Sequence, residues 1–204
     1  MYIPKHFQLT DQQEAISFMQ RYSFATIVTS VNEVPVATHL PFLVQQRDDK
    51  LILSSHFAKA NPQAQIVGKT VLVIFNEPHA YISPANYEKE TNVPTWNYLA
   101  VHAYGKAVLL DNDDDTAQLL AQMISNYEVG YLQQWNNLPD DYKQKMIKGI
   151  VAFEITVDDL QAKKKLSQNR SEPEKESIIK TLSKSDKNTD NEIAEYMEAM
   201  KPAK

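Results

Sequence analysis

Cysteine is absent from all 204 residues. That excludes a disulfide scaffold, thiolate catalysis and cysteine-ligated zinc or iron–sulfur clusters. Glycine is nearly as scarce, confined to Gly68, Gly105, Gly130 and Gly149. None of these stands in a GxGxxG or Walker A pattern, so a nucleotide held here is not cradled by a Gly-rich loop. Arginine occurs only as Arg21, Arg47 and Arg170, which makes Arg170 worth weighing wherever an anion is bound. Acidic residues outnumber basic ones 26 to 21, for a net charge of −5. No global footprint for nucleic acid exists, and charge gives direct DNA binding no support. No stretch approaches the roughly 20 apolar residues of a membrane span, and MYIPKHFQLT lacks the apolar core of a signal peptide. These absences lead to the expectation of a cytoplasmic protein without membrane contact. His6, His39, His56, His79 and His102 form no spaced pair on a helix, so no metal site is expected. With no GxSxG motif either, hydrolase chemistry has no support and no catalytic residue is assigned.

What is present reads as mainly β. Hydrophobic residues make up 43% and charged residues 23% of the chain, enough for one sizeable core. Thr10-Asp11-Gln12-Gln13 has the form of a capping box with Thr10 as the cap, opening a helix to about Arg21. Phe24–Val31, Val34–Gln45 and Leu51–Ser55 read as successive strands joined by turns at Asn32-Glu33 and Arg47–Lys50. Pro35 and Pro41 make the second strand irregular or an edge. His56 to Val67 breaks the pattern, with Asn61-Pro62 capping a short helix. Thr70–Phe75 is apolar without alternation and is expected to be buried on both faces. Short strand follows at Tyr81–Ser83, then helices from the acidic loop Asp111–Asp115 and from Pro139 to Lys148, then a last strand Ile150–Val157. Ser171-Glu172-Pro173-Glu174 caps another helix, and Ile193, Tyr196, Met197 and Met200 form a final amphipathic stripe. Hairpin after hairpin predicts an antiparallel sheet curling towards a barrel, with peripheral helices and a helical C-terminal tail. The division expected is a barrel domain over 1–170 and an extension over 171–204 that packs on the barrel or on a partner subunit.

The most informative stretch is Val93 to Gly105, VPTWNYLAVHAYG. Pro94 opens it in extended geometry, and aromatic and β-branched residues follow. Trp96, Tyr98, Ala100, His102 and Tyr104 share one face of the strand, Asn97, Leu99, Val101 and Ala103 the other. Apolar residues with a polar group on each face suit a central strand whose mouth lines a ligand site. The pattern alone equally gives Trp96 and Tyr98 as core or interface aromatics. Three further clusters carry polar chemistry. Thr38-His39-Leu40-Pro41 offers a hydroxyl and an imidazole at a strand end. Ser54, Ser55, His56 and Lys59 offer phosphate donors where a strand ends and a helix opens at Asn61-Pro62, its N-terminus adding backbone N–H groups. Lys163-Lys164-Lys165-Leu166-Ser167-Gln168-Asn169-Arg170 is the densest cationic run, readable as a solvated face or as a holder of an anionic group.

Together, MYIPKHF, THLPFLV, HFAKANPQ, VLVIFNEPHAYISPANY, VPTWNYLAVHAYG and KKKLSQNR resemble, in order, the PaiB-type proteins, described as FMN-binding negative transcriptional regulators. The resemblance spans most of residues 1–170. It implies an antiparallel split β-barrel of the FMN-binding type, related to pyridoxamine-phosphate oxidases and flavin reductases. It also implies a homodimer with FMN at the subunit interface. Carried over by position, the family pattern implies flavin contacts from Thr38, His39, Leu40, Ser54, His56, Lys59, Asn61, Trp96, Asn97, Lys165, Ser167 and Gln168. The function implied is a flavin reductase-like oxidoreductase using NAD(P)H on a small-molecule substrate. The first alternative is a flavin-binding transcriptional regulator. The second is a haem-binding or haem-degrading split barrel with His39, His56 or His102 as axial ligand.

Overall fold

Two tight turns show why the chain folds back on itself so early. Asn32 and Glu33 both take positive φ, 50° and 66°, and so do Asp48 and Asp49, 49° and 60°. Two successive left-handed residues make the hairpin turn whose twist matches that of its flanking strands. The computed structural model describes residues 1–65 and 68–201. The end of the expected His56–Val67 segment and the last three residues of the expected 171–204 extension lie outside the described residues.

The strands are β1 (Phe24–Val31), β2 (Val34–Pro41), β3 (Leu43–Arg47), β4 (Lys50–Ala58), β5 (Thr70–Phe75), β6 (His79–Ile82), β7 (Thr95–Leu109) and β8 (Ile150–Lys165). The helices are α1 (Gln12–Arg21), α2 (Asp113–Tyr127), α3 (Leu132–Asn137), α4 (Asp140–Ile147), α5 (Glu172–Leu182) and α6 (Asn188–Ala199). The ladder runs β2-β1-β5-β7-β8-β4-β3, with β6 added to β7. Both hairpins are antiparallel, with Val31 opposite Val34 at the first turn and Arg47 opposite Lys50 at the second. The sheet is open, with β2 and β3 at its ends, and the expected mainly β architecture with helices outside it is what the chain adopts.

The chain divides into two compact units, each described by itself. One comprises Ile16–Phe75 and His102–Leu160. Its core is aromatic: Phe42 meets Phe75 at 6.0 Å and Phe153 at 6.3 Å, both edge-on, and Phe57 stacks on Phe153 at 4.9 Å. All four rings are fully buried, and each such ring contributes roughly 2–3 kcal/mol by leaving water. The other unit comprises Met1–Ala15, Asn76–Val101 and Gln161–Lys204. There α5 and α6 pack on each other and α6 packs on β6, burying Ile178, Leu182, Ile193 and Met197.

Several local expectations change. Asp11, not Thr10, caps α1, its carboxylate accepting from the N–H groups of Gln13 and Glu14 at 2.8 and 3.1 Å. The carboxylate one residue closer reaches both free donors. The strand expected from Val34 to Gln45 breaks at Phe42, because Pro41 has no N–H to continue the ladder and Phe42 instead donates to the Ser23 carbonyl. β5 alternates after all: Val71, Val73 and Phe75 are buried while Leu72 and Ile74 are half-buried. β8 runs on past the expected end at Val157 to Lys165, so the three lysines lie within the strand. The capping box at Ser171 and the turn capped by Asn61 form as expected.

β7 buries Asn97, Leu99, Val101, Ala103, Gly105 and Ala107 on one side, the two-residue period read from the sequence. Gly105 is required by closeness. A Cβ there would stand 2.1 Å from the Thr156 carbonyl oxygen and 2.8 Å from Ile155 Cγ2. Gly105→Ala is therefore expected to destabilise the protein by about 3 kcal/mol, at the upper end of overpacking costs, measured by urea unfolding. An unchanged midpoint would show that β7 and β8 do not approach in this way.

Candidate functional site

Within the unit that holds β1–β5, the polar groups converge on Gln63. Asn61 caps the short turn Pro62–Ala64 by accepting from the Gln63 N–H at 2.9 Å. Its own amide donates to Thr38 Oγ1 at 3.1 Å, and Thr38 donates to Gln63 Oε1 at 2.6 Å. Gln63 Nε2 reaches the Ile27 carbonyl, Thr29 Oγ1 and the Val36 carbonyl at 3.1–3.3 Å. Gln63 is buried, and its amide ties the turn to β1 and β2 with its hydrogen-bonding capacity used. Thr38 and Asn61 are therefore held rigidly at the mouth of β2. His39, on the exposed side, stacks on Phe24 at 6.4 Å, and Leu40 is half-buried opposite Ala25.

β4 delivers the next group. Ser54 is fully buried, and its hydroxyl donates to Glu154 Oε1 at 3.1 Å; Glu154 also pairs with Arg47 at 2.6 Å. Ser55 donates to the Pro41 carbonyl at 2.7 Å. Both hydroxyls are committed inside the protein. His56 differs: its Nδ1 is buried and has no hydrogen-bond partner among the described residues. Burial holds its imidazole below the usual histidine range, which keeps the ring neutral with one N–H and one lone pair. Lys59 stands exposed just past the strand, with its backbone N–H on the Gly149 carbonyl.

In the other unit the turn Leu166–Gln168 does the positioning. Ser167 takes φ +59° while buried, a left-handed conformation that costs an L-residue about 1–2 kcal/mol. Gln168 closes the turn around it: its Oε1 accepts from the Leu166 N–H and its Nε2 donates to the Lys164 carbonyl. The Ser167 hydroxyl donates to Asn97 Oδ1 at 3.0 Å, and Asn97 Nδ2 faces Met197 Sδ at 3.4 Å. Asn97 is thus an internal tie, fully buried, whereas Trp96 is half-exposed on the opposite face of β7, edge-on to Tyr81 at 5.7 Å.

The lysine run is not a solvated face. Lys163 is buried, its ammonium 5.1 Å above the Tyr98 ring. Lys164 pairs with Glu14 at 2.6 Å. Lys165 donates to Thr95 Oγ1 at 2.6 Å and to the Trp96 carbonyl. Sequence reasoning passed over Gln63 and Thr95. Gln63 lies inside the HFAKANPQ block, but nothing in the sequence indicates that its side chain is buried.

A sequence profile of the family described as "Putative FMN-binding domain" matches residues 1–159. The chain is 43% identical to "Protease synthase and sporulation protein PAI 2" of Bacillus subtilis (strain 168), over 97% of each chain. Solved structures share the fold. The flavocytochrome Anf3 of Azotobacter vinelandii aligns with a TM-score of 0.63 at 14% identity, covering 80% of this chain and 72% of its own. The FAD and heme binding protein of Mycobacterium smegmatis aligns at 0.61 and 15% identity, covering 78% and 73%. These two likenesses concern the split-barrel fold.

Two outcomes follow from this geometry. Ser167→Ala leaves Asn97 Oδ1 buried without its donor and is expected to cost about 2 kcal/mol. Ser167→Gly loses the same bond but removes the left-handed strain, and should cost about 1 kcal/mol less. Equal losses in thermal unfolding would show that φ at 167 carries no strain. The second outcome concerns acid. Because the folded state holds the His56 and His102 imidazoles below the ordinary value of 6.5, the unfolded chain binds more protons just beneath that pH. Stability is then complete above pH 6.5 and falls as pH drops below it. His56→Gln should flatten that decline in unfolding curves taken from pH 7.5 to 5; an unaltered slope would assign the decline elsewhere.

Proposed function

The chain belongs to the FMN-binding family whose profile spans residues 1–159, and from that premise we propose that it is a flavoprotein resembling the flavin reductases, passing electrons from NAD(P)H to a small acceptor. The observation that carries the reading is the buried Nδ1 of His56, without a hydrogen-bond partner among the described residues, on the strand that the exposed Lys59 follows. A buried polar atom without a partner is costly unless a ligand supplies one. The donor set fits FMN. Lys59 would take the phosphate as a charge-assisted partner. His56, kept neutral, would meet the alternating donors and acceptors along a flavin ring edge, and Asn61 and Thr38 would meet the polar chain between ring and phosphate. Bound FMN supplies the acceptor and donor of a hydride. The protein's own work is to hold that group rigidly, and the Gln63 clamp does this by locking the turn that carries Asn61 to β1 and β2. We place this activity in a homodimer, as the family resemblance implies.

A second reading is favoured by the 43% identity to the Bacillus subtilis protein named for protease synthase and sporulation. On that reading the flavin is sensed rather than turned over, and the chain acts in negative transcriptional regulation. Its net charge of −5 directs it to a protein partner rather than to DNA.

The two readings separate in one anaerobic experiment. Purified protein loaded with FMN is mixed with NADH and then NADPH while the flavin absorbance is followed. Bleaching within the time of a turnover supports the reductase and names its donor. Bound flavin that stays oxidised overturns the reductase and leaves the regulator. Absence of FMN binding overturns both. His56→Gln and Lys59→Gln are each expected to weaken FMN binding about tenfold, a loss near 1.4 kcal/mol.

A further inference from the structure

The end of β8 and the turn after it enclose a second feature that the flavin reading does not use. A cavity of about 220 Å³ is lined by Phe7, Thr95, Lys165, Ser167, Arg170 and neighbouring side chains, His6 among them. Its charge is one-sided. Lys165 spends two of its three ammonium hydrogens on Thr95 Oγ1 and the Trp96 carbonyl. No carboxylate pairs with it among the described residues. The Arg170 guanidinium lies 3.8 Å from the centre of the Tyr87 ring and donates to Asn92 Oδ1 at 2.8 Å. Among the described residues its carboxylate partner is Glu174, at 4.0 Å. Glu174 is itself engaged by the Ser171 and Glu88 backbone N–H groups, both at 3.3 Å. Arg170 is thus oriented by stacking and by one amide, with most of its five donors left over. The Lys163 ammonium adds to the same field from its seat above Tyr98.

A half-buried cation without a counterion is costly. Burial, reinforced by Lys163 and Arg170, holds the Lys165 ammonium below the usual lysine range. The cavity is smaller than the roughly 300–1,000 Å³ of pockets that enclose a whole drug-sized ligand. It suits an anionic head rather than a three-ring flavin.

We propose that this cavity binds the carboxylate or phosphate head of a ligand other than the flavin, with Lys165 and Arg170 as its cationic partners and the Ser167 turn as its floor. The family resemblance gives Lys165 and Ser167 to the flavin; the cavity they line includes none of His56, Lys59 and Asn61, and its two cations suit an anion. The site stands whether or not the flavin turns over.

The test is calorimetric titration of the full chain with inorganic phosphate and then acetate, with and without saturating FMN. FMN occupies its own phosphate subsite, so a phosphate signal that survives loading belongs elsewhere. Expected is millimolar phosphate binding that changes less than twofold on FMN loading and weakens at least tenfold in Arg170→Gln. Acetate binding with the same dependence names a carboxylate-tolerant site; phosphate alone narrows the head to phosphate. Because Arg170 also braces Tyr87, a second readout uses the unaltered protein: the Lys165 side-chain resonance should titrate at higher pH when phosphate is present. Loss of the phosphate signal on FMN loading would return the cavity to the flavin and overturn the proposal. No phosphate binding at all, or a Lys165 titration indifferent to phosphate, would overturn it as well. If FMN does not bind, the flavin reading fails while the Arg170→Gln comparison still decides this one.

Discussion

The Thr156 carbonyl comes so near Gly105 that a single methyl group would collide with it at 2.1 Å. This approach sets the distance between β7 and β8, the two longest strands, at 15 and 16 residues. β7 carries the Trp96-Asn97 segment near its start and β8 ends in the lysine run. Only glycine leaves room for backbone at this spacing, and the chain places one of its four glycines there. The alternation along β7 then determines which of its side chains enter the interior and which stay at a surface.

The polar residues fall into two classes on the same criterion, whether their hydrogen bonds are already made. Ser54, Ser55, Asn97, Gln63 and Gln168 are committed within the protein. They hold strands and turns in register. His56, Lys59, Lys165 and Arg170 retain donors or a lone pair. Where such a group is half-buried, as at His56 and Lys165, leaving it without a partner is destabilising, so a ligand that supplied one would gain binding energy. Strain tells the same story at Ser167, where the left-handed backbone is held by the Gln168 amide and the bond to Asn97. A left-handed turn of this kind is costly to maintain without such bonds.

Much of the fold is legible because its signals are local. The hairpins at Asn32-Glu33 and Asp48-Asp49, the Asn61 and Ser171 caps and the two-residue period of β7 depend on residues a few positions apart. The errors have local causes too. Asp11 displaces Thr10 as a cap by one residue, and the Val34–Gln45 strand divides where Pro41 lacks a donor. The extension of β8 through three lysines is different. Three adjacent cations read as solvent-facing, and what carries them into a strand is the Tyr98 ring, Glu14, the Thr95 hydroxyl and the Trp96 carbonyl, all distant in sequence.

By itself the sequence determined the mainly β class, most turns and caps, the absence of thiol and Gly-loop chemistry, and, through six ordered motifs, the family. Those features follow from covalent side-chain chemistry and short-range backbone preference, which do not wait for the rest of the chain. The tertiary structure alone decided which polar groups remain unspent. Ser54 and Lys59, or Asn97 and Lys165, are alike as letters in a motif; whether a partner reaches them depends on contacts across tens of residues, as with Glu154 at Ser54 and Ser167 at Asn97. Hydrogen-bond satisfaction and burial are properties of the packed chain, and they separate the side chains whose bonds are made within the fold from those that keep donors or a lone pair.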